Sequence, residues 1–355
     1  MAHWSASPTF AQRVLVAASI VALVAIVVVL LASLAEVMML VFAGALLAVF
    51  LDGLASALSR HTPLPRGVSL ALVCLALLAL AGGFGWFVGP QLVAQLGALG
   101  ERLPVAVSSV LGWLEQHDWA DPIVARLRSP GELVSSFARE DVVGQVTGAF
   151  SSLFGVLAGA LLVGFIGLYL AVNPGLYVDN ALKLVPSRRR PRAGDVVQQL
   201  GRALRLWLVA RLASMVVIGA LTAIGLQILG VPLALALGVI AGLLSFIPYI
   251  GPILAFAPAG LIALSESPTT LLYALILYAV AQLLESYLIT PIIERRVVQL
   301  PPALVITVQV IMGVLLGLLG MFLATPVAVI AIVLVQMLYV EDVLHDDVQV
   351  LGDDG

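Results

Sequence analysis

The chain has 355 residues, of which 62% are hydrophobic and only 10% are charged, whereas charged residues make up about 25% of an ordinary soluble domain. This composition excludes an ordinary water-soluble enzyme and predicts an all-α, polytopic membrane protein with one membrane domain over residues 1–355. The net charge of -3 says little as a total, because the basic and acidic residues are segregated along the chain. Cys74 is the only cysteine, which excludes an intrachain disulfide.

Six apolar runs reach the length of about 20 residues that a membrane-spanning helix needs. The first run follows Arg13 and is longer than the ~7–15 apolar residues of a signal peptide, so we interpret it as a spanning helix. Two later uncharged stretches, which end at Glu266 and at Glu341, are too long for one straight crossing. The predicted spans are Val14 to Ala35, Val37 to Leu58, Gly67 to Val88, Ala149 to Val172, Leu208 to Leu229 and Thr270 to Ile292.

Residues 89–148 follow the third span and repeat leucine and valine near helical spacing from Leu92 to Leu114. Trp113 and Trp119 lie at the end of this pattern. Such a segment predicts amphipathic helices at the outer membrane interface. A soluble binding domain is less favoured, because so little of the segment is polar.

Residues 173–207 carry the densest group of basic side chains, including the run from Arg188 to Arg190. Lys and Arg concentrate in cytoplasmic loops, so this segment predicts a basic cytoplasmic loop that fixes the topology. With the N-terminus inside, Arg60 and Arg66 are cytoplasmic as well. Nucleic-acid binding is not expected, because the basic run lies between two spans.

Residues 231–265 contain the sequence SFIPYIGPILAFAPAG, in which prolines and glycines interrupt an apolar run. If this segment crossed the membrane once, the next span would place Arg295 and Arg296 outside, against the distribution of the other basic residues. A proline-broken hairpin that enters and leaves on the outer side keeps both arginines in the cytoplasm. The alternative is one long helix that the prolines only kink.

The predicted tip of this first hairpin is the sequence from Pro248 to Pro252, since both prolines lack a backbone donor. Gly251 is expected to supply the positive φ of a tight turn. Ser245 and Tyr249 are candidates for lining a cavity beside the tip.

The seventh segment carries Tyr278, Gln282 and Glu285, which share one helical face because they are four and three residues apart. A carboxylate inside a membrane is costly unless it is paired, protonated or hydrated. Glu285 is therefore a candidate for proton or cation coupling. The equally weighted alternative is an ion pair with a basic group near the cytoplasmic end of the helix.

A second hairpin is predicted over residues 302–340, with Gly320 near its middle and Pro326 as a further break. Gln309 is a polar candidate on the same cavity. This arrangement leaves residues 341–355 as an acidic cytoplasmic tail.

Three blocks carry a resemblance to a known family: LGVPLALALGVIAGLLSFIPYIGP at 229–252, AQLLESYLITPIIERRV at 281–297 and GVLLGLLGMFLATPVAV at 313–329. In their order and spacing they resemble the autoinducer-2 exporter family of bacterial permeases. The resemblance implies a transporter of the inner membrane with both termini in the cytoplasm, assembled as a homo-oligomer. Relatives have been assigned export of autoinducer-2 and, in some cases, sodium-proton antiport.

The resemblance also marks residues in each block of this sequence. Two departures are Ser245, where many members have asparagine, and Pro301, where a histidine commonly stands. The positions that match the family motifs are Pro248, Gly251, Pro252, Gln282, Glu285, Pro291, Gly317, Gly320 and Pro326.

The functional expectation is a permease that exports a small polar solute, with Glu285 as the coupling residue. A monovalent cation-proton antiporter is the closest alternative, and a non-transporting membrane scaffold that binds partners through the basic loop is the alternative from another class. The expected partners are a small-molecule or ion substrate, the lipid bilayer and further copies of the chain. No phosphate-binding loop, zinc-spaced histidine pair or catalytic serine motif is present, so no enzyme, cofactor or metal is expected.

Overall fold

A computed structural model describes residues 10–114, 142–289 and 301–345, and this part of the chain contains helices and no strand. A 3-10 turn, Ser187–Arg189, precedes the helix that begins at Arg190, and π-helical turns cover Glu285–Ile289 and Gln336–Glu341. The helices are α1 Phe10–His61, α2 Arg66–Phe87, α3 Gly89–Leu114, α4 Val142–Val172, α5 Pro174–Lys183, α6 Arg190–Ile228, α7 Ala234–Leu244, α8 Ile250–Glu266, α9 Pro268–Leu284 and α10 Pro302–Val335.

Five of these helical stretches are long and apolar enough to cross a membrane: Val37–His61, Arg66–Phe87, Ser187–Ile228, Pro268–Tyr287 and Pro302–Glu341. A sixth crossing results if Ala158–Val172 and Pro174–Lys183, which meet at an angle of 83°, form one bent span. The prediction of an all-α, polytopic membrane protein is confirmed. Many large apolar side chains on these helices are exposed, as a lipid-facing surface requires.

The N-terminal region differs from the two predicted spans. The chain forms one continuous helix of 52 residues, α1, without a turn at Glu36. Neither glycine nor proline occurs between Phe10 and Val41, so nothing in this stretch breaks the hydrogen-bond ladder. At 1.5 Å per residue α1 is about 78 Å long, more than twice the thickness of the hydrocarbon core.

The basic segment that was predicted to be a cytoplasmic loop is largely helical. It contains α5, the 3-10 turn and the first turns of α6, which begins at Arg190. Pro174 and Pro191 lie in the first turns of these two helices, where the missing N–H of proline breaks no intrahelical bond.

Helix α3 covers the first part of the predicted interfacial segment, and residues 115–141 lie outside the described part. Leu99 is buried in a cluster with Leu226 of α6 and Ile262 of α8. The side-chain oxygen of Gln95 accepts a 3.0 Å hydrogen bond from the backbone N–H of Ala236 in the first turn of α7. The apolar stripe of α3 thus packs against protein at this position.

Close backbone approaches hold α7 against α6. A Cβ added to Gly242 would lie 2.7 Å from the carbonyl oxygen of Met215 and 3.0 Å from the Cα of Gly219. A Cβ on Gly238 would lie at 2.7 Å from the backbone of Ala223. Small residues of this kind let membrane helices pack closely, and they fix α7 where its C-terminal end reaches the middle of α6.

Candidate functional site

The first proline-rich segment contains a break of five residues between α7 and α8. Tyr249, the residue before α8, has φ 64° and ψ -52°. We expected Gly251 to have a positive φ, and this is wrong. Gly251 lies inside the first turn of α8 and has no positive φ. Its lack of a side chain is needed for space, because an added Cβ would collide with the carbonyl oxygen of Leu244.

Local hydrogen bonds close this break. The N–H of Ile247 donates to the carbonyl of Leu244 at 2.9 Å, and the N–H of Gly251 donates to the carbonyl of Ile247 at 3.0 Å. The buried Ser245 hydroxyl donates to the carbonyl of Gly242 at 2.8 Å. Pro248 has no N–H to continue the helix. The backbone therefore turns with most of its polar groups paired, as a membrane interior demands.

Glu285 forms a buried ion pair with Arg211 of α6. The Nη1 of Arg211 lies 2.8 Å from Oε1 of Glu285, and the two residues are 8% and 4% exposed. The Nε of Arg211 donates a second hydrogen bond, 3.2 Å long, to the carbonyl of Phe246 in the break. Arg211 thus joins the carboxylate on the α9 segment to the tip of the first hairpin.

The alternative that we weighed for Glu285, an ion pair with a basic group, is therefore present in the structure. The basic group lies on a different helix, 74 residues away in the sequence. Arg211 is not among the candidate residues that the sequence indicated. Arg211 lies within the predicted span Leu208 to Leu229. A charged residue inside a span is itself a sign of a functional site or of a buried partner.

Tyr278, Gln282 and Glu285 line one small cavity, as their shared helical face predicts. Its volume is about 10 Å³, and Thr222 of α6 and Pro252 of α8 are also part of its wall. The Tyr278 hydroxyl donates a long hydrogen bond, 3.4 Å, to the carbonyl of Ala255. The amide of Gln282 lies 3.4 Å from the hydroxyl of Ser286. A volume of this size is close to the smallest that holds one water molecule.

Thr222 is a polar residue of this site that the sequence analysis did not single out. It is 1% exposed, and in the described part of the chain its hydroxyl has no hydrogen-bond partner. The sequence does not mark a single threonine in an apolar helix as functional. The role of Thr222 depends on which residues of α9 pack against it.

The second long apolar helix folds back on itself. Gly317 has φ 61° and ψ -146°, which is not helical. Gln309 and Thr325, each eight residues from Gly317, approach to 3.4 Å between amide nitrogen and hydroxyl oxygen. In a straight helix they would be about 24 Å apart. The reversal is at Gly317 rather than at Gly320, where an added Cβ would collide with the carbonyl oxygen of Met312.

The two broken segments meet through aromatic side chains. The ring of Phe246, in the break between α7 and α8, stacks on Phe322 of α10 with 5.4 Å between centroids. Trp207 of α6 meets the same ring edge-on at 5.5 Å. The first hairpin is therefore anchored on one side by Arg211 and on the other side by α10.

Not all candidate residues gather at this cavity. Ser245 is buried in the break, Tyr249 is exposed, and Gln309 and Pro326 are buried within the α10 hairpin. Pro291 lies outside the described residues. Over the described ranges, no three His, Cys, Asp or Glu side chains are placed to hold a metal ion. The residues that the cavity brings together are Pro252, Tyr278, Gln282 and Glu285.

Comparison with known proteins gives a family match over most of the chain. Residues 19–339 match the model described as "AI-2E family transporter". "Putative transport protein YueF" of Bacillus subtilis (strain 168) is 26% identical over 280 residues, which cover 74% of each chain. "Putative transport protein YrrI" of the same strain is 26% identical over 310 residues, 84% of this chain and 87% of the relative. "Putative permease PerM" of Escherichia coli (strain K12) is 26% identical over 151 residues, 42% and 43% of the two chains.

Proposed function

This chain belongs to the AI-2E transporter family, and on that premise we propose that it is a permease of the bacterial inner membrane that exports a small polar solute. Glu285 supplies the proton or cation coupling in this proposal. The ion pair with Arg211 is by itself the alternative to coupling. The observation that supports a coupling role is that the same arginine also bonds the carbonyl of Phe246 in the broken hairpin.

The physical argument concerns the cost of charge in the membrane. Neither Glu285 nor Arg211 can lose its partner without leaving an uncompensated charge in a buried site. A proton or cation that neutralises Glu285 therefore weakens its attraction for Arg211. Since Arg211 also bonds the carbonyl of Phe246, the change is transmitted to the hairpin tip. Broken helices with free backbone ends commonly form such sites in transporters.

The proposed orientation places the basic segment at 173–207, Arg60 and the C-terminal tail in the cytoplasm. The α7–α8 hairpin then opens to the outside and the α10 hairpin to the cytoplasm, so that their tips meet within the bilayer. The contact between Phe246 and Phe322 supports this arrangement. Arg192 at the start of α6 pairs at 2.9 Å with Glu341 and Asp342, which follow the second hairpin. These ion pairs bring the start of the tail to the basic end of α6.

A monovalent cation-proton antiporter is the second candidate, and the size of the cavity favours it. A space of about 10 Å³ beside Glu285 fits an ion or a water molecule, whereas an organic solute requires a larger opening. In the permease proposal the solute binds elsewhere or after the hairpins move.

Transport by the purified protein in liposomes tests both candidates. The organic substrate is identified first, as a solute that cells expressing this protein release and deletion cells do not. That solute is then loaded into the liposomes. The permease is supported if a pH gradient accelerates uptake or release of that solute by the wild type. Transport by Glu285→Gln should then be insensitive to the gradient. Sodium flux driven by pH without any organic solute supports the antiporter. Unchanged transport by Glu285→Gln in both assays overturns the coupling role, and no flux of either kind overturns transport in favour of the scaffold.

A further inference from the structure

The cavity beside Glu285 contains a polar group that the ion pair does not use. The hydroxyl of Thr222 is buried and has no hydrogen-bond partner among the described residues. Buried hydroxyls are rarely left in this state, because they lose their bonds to water on burial. Thr222 lines the same cavity as Glu285, so a ligand in the cavity would give the hydroxyl its missing partner.

The size and wall of the cavity restrict what that ligand is. Its volume of about 10 Å³ is close to the smallest space that holds one water molecule. Thr222, Tyr278, Gln282 and Glu285 are residues of the wall that carry polar side chains, and a buried water needs two to four polar partners.

While the Arg211–Glu285 ion pair is formed, the charge of the site favours water over a metal cation. Among the described residues, Glu285 is the only acidic one in the wall of the cavity, and its Oε1 already faces the guanidinium of Arg211 at 2.8 Å. A cation bound to this carboxylate would be close to that positive charge, and the repulsion is weakly screened in a buried site. A neutral molecule that both donates and accepts hydrogen bonds meets no such repulsion.

We propose that the cavity binds one water molecule between the Thr222 hydroxyl and the Glu285 carboxylate, and that Thr222 is a positioning residue of the coupling site. The water donates one hydrogen bond to the carboxylate and exchanges another with Thr222. As a proton is delivered to this water, the water passes one of its own protons to the carboxylate, which leaves a neutral carboxyl group and a neutral water without a free hydronium ion beside Arg211. The functional part of this inference rests on the proposed coupling role of Glu285, and it selects the proton as the coupling ion.

Cryo-electron microscopy of the protein in lipid nanodiscs, at a resolution that shows ordered waters, tests the site directly. The wild type and Thr222→Ser are expected to show a density peak at hydrogen-bond distance from the residue 222 hydroxyl and Glu285. Thr222→Val, which keeps the shape and removes the hydroxyl, is expected to lose the peak. Thr307→Val is the matched control, because the Thr307 hydroxyl already donates to the carbonyl of Ala303 and lies on an exposed face.

The ion content of the buffer separates water from a cation. The peak is expected to persist when choline replaces sodium. A peak that requires sodium overturns the assignment to water, and a wild-type cavity without density, in a map that shows other buried waters, overturns the site itself.

Proton flux into liposomes measures the positioning role. Thr222→Val is expected to slow flux about tenfold, the effect of losing one hydrogen bond near a charged group. Thr222→Ser is expected to restore most of the rate, and Thr307→Val to leave it unchanged. Equal rates for Thr222→Val and wild type overturn the role of Thr222. If the water is present but the wild type moves no protons, the proposed coupling fails while the binding site stands.

Discussion

Arg211 and Glu285 form an ion pair with 2.8 Å between Nη1 and Oε1, although 74 residues separate them in the sequence. Each lies within a stretch that is long and apolar enough to span the membrane. Because the two charges compensate each other, both helices can carry an ionised group at a buried position. The additional bond from Arg211 to Phe246 makes the pair part of the scaffold that holds the first hairpin.

Breaking this ion pair from either side should destabilise the protein. Arg211→Gln leaves the Glu285 carboxylate buried without its partner, and Glu285→Gln leaves the guanidinium in the same position. Each single substitution is expected to lower the free energy of unfolding by about 3–5 kcal/mol. Thermal unfolding in detergent, followed by fluorescence-detected size-exclusion chromatography, measures the loss.

The double substitution and a surface control separate pairing from other effects. The double variant is expected to lose less stability than the sum of the two singles, because it removes both charges. Arg188→Gln, on an exposed residue, is expected to change stability by less than about 0.5 kcal/mol. Additive losses in the double variant would show that the two side chains do not stabilise one another.

The sequence predicted the all-helical membrane fold, the break near Pro248 and the shared face of Tyr278, Gln282 and Glu285. These features depend on local properties, namely apolar run length, the missing donor of proline and the helical repeat. The partner of Glu285 could not be predicted, because it depends on how α6 and α9 pack. Thr222 was missed for the same reason.

Two other differences between the predicted and the observed fold have local causes. Two separate spans on either side of Glu36 require a helix breaker, and α1 contains none there. The second reversal was assigned to Gly320 because this residue lies near the middle of the run. Gly317 has the positive φ. Gly320, in the returning arm, provides space for the carbonyl of Met312 in the first arm. One sequence alone does not tell which of two neighbouring glycines has which role.

Gly251→Ala should disrupt the first hairpin. The new Cβ would collide with the carbonyl oxygen of Leu244, a backbone atom that cannot rotate away. The expected loss of stability is about 1–3 kcal/mol, typical of overpacking at a tight contact. Gly201→Ala is the matched control, since it lies in α6 with no atom near its added Cβ and is expected to gain about 0.5–1 kcal/mol from helix propensity. Equal thermal stability of the two variants would contradict the close approach at Gly251.

A disulfide should form across the reversal at Gly317. In a Cys74→Ser background, cysteines at Gly313 and Met321 are expected to cross-link on mild oxidation, because a Cβ on Gly313 would lie 2.7 Å from Cγ of Met321. The control is a cysteine pair at Leu275 and Leu283 of α9, which has the same spacing and stays about 12 Å apart along a straight helix. Protease cleavage between the cysteines, followed by non-reducing electrophoresis, detects the bond. A straight α10 would leave both pairs unlinked.

The outer position of the α8–α9 junction is the last prediction, and it decides whether the first hairpin is re-entrant. Glu266 is exposed at the end of α8, so a cysteine there in the Cys74→Ser background should react with a membrane-impermeant maleimide added to intact cells. A cysteine at the exposed Arg188 is expected to react only after the membrane is permeabilised, because the basic segment is proposed to be cytoplasmic. Reaction of both cysteines only after permeabilisation would show that residues 231–265 cross the membrane. The basic residues after α9 would then lie outside, and the proposed meeting of two hairpins within the bilayer would fail.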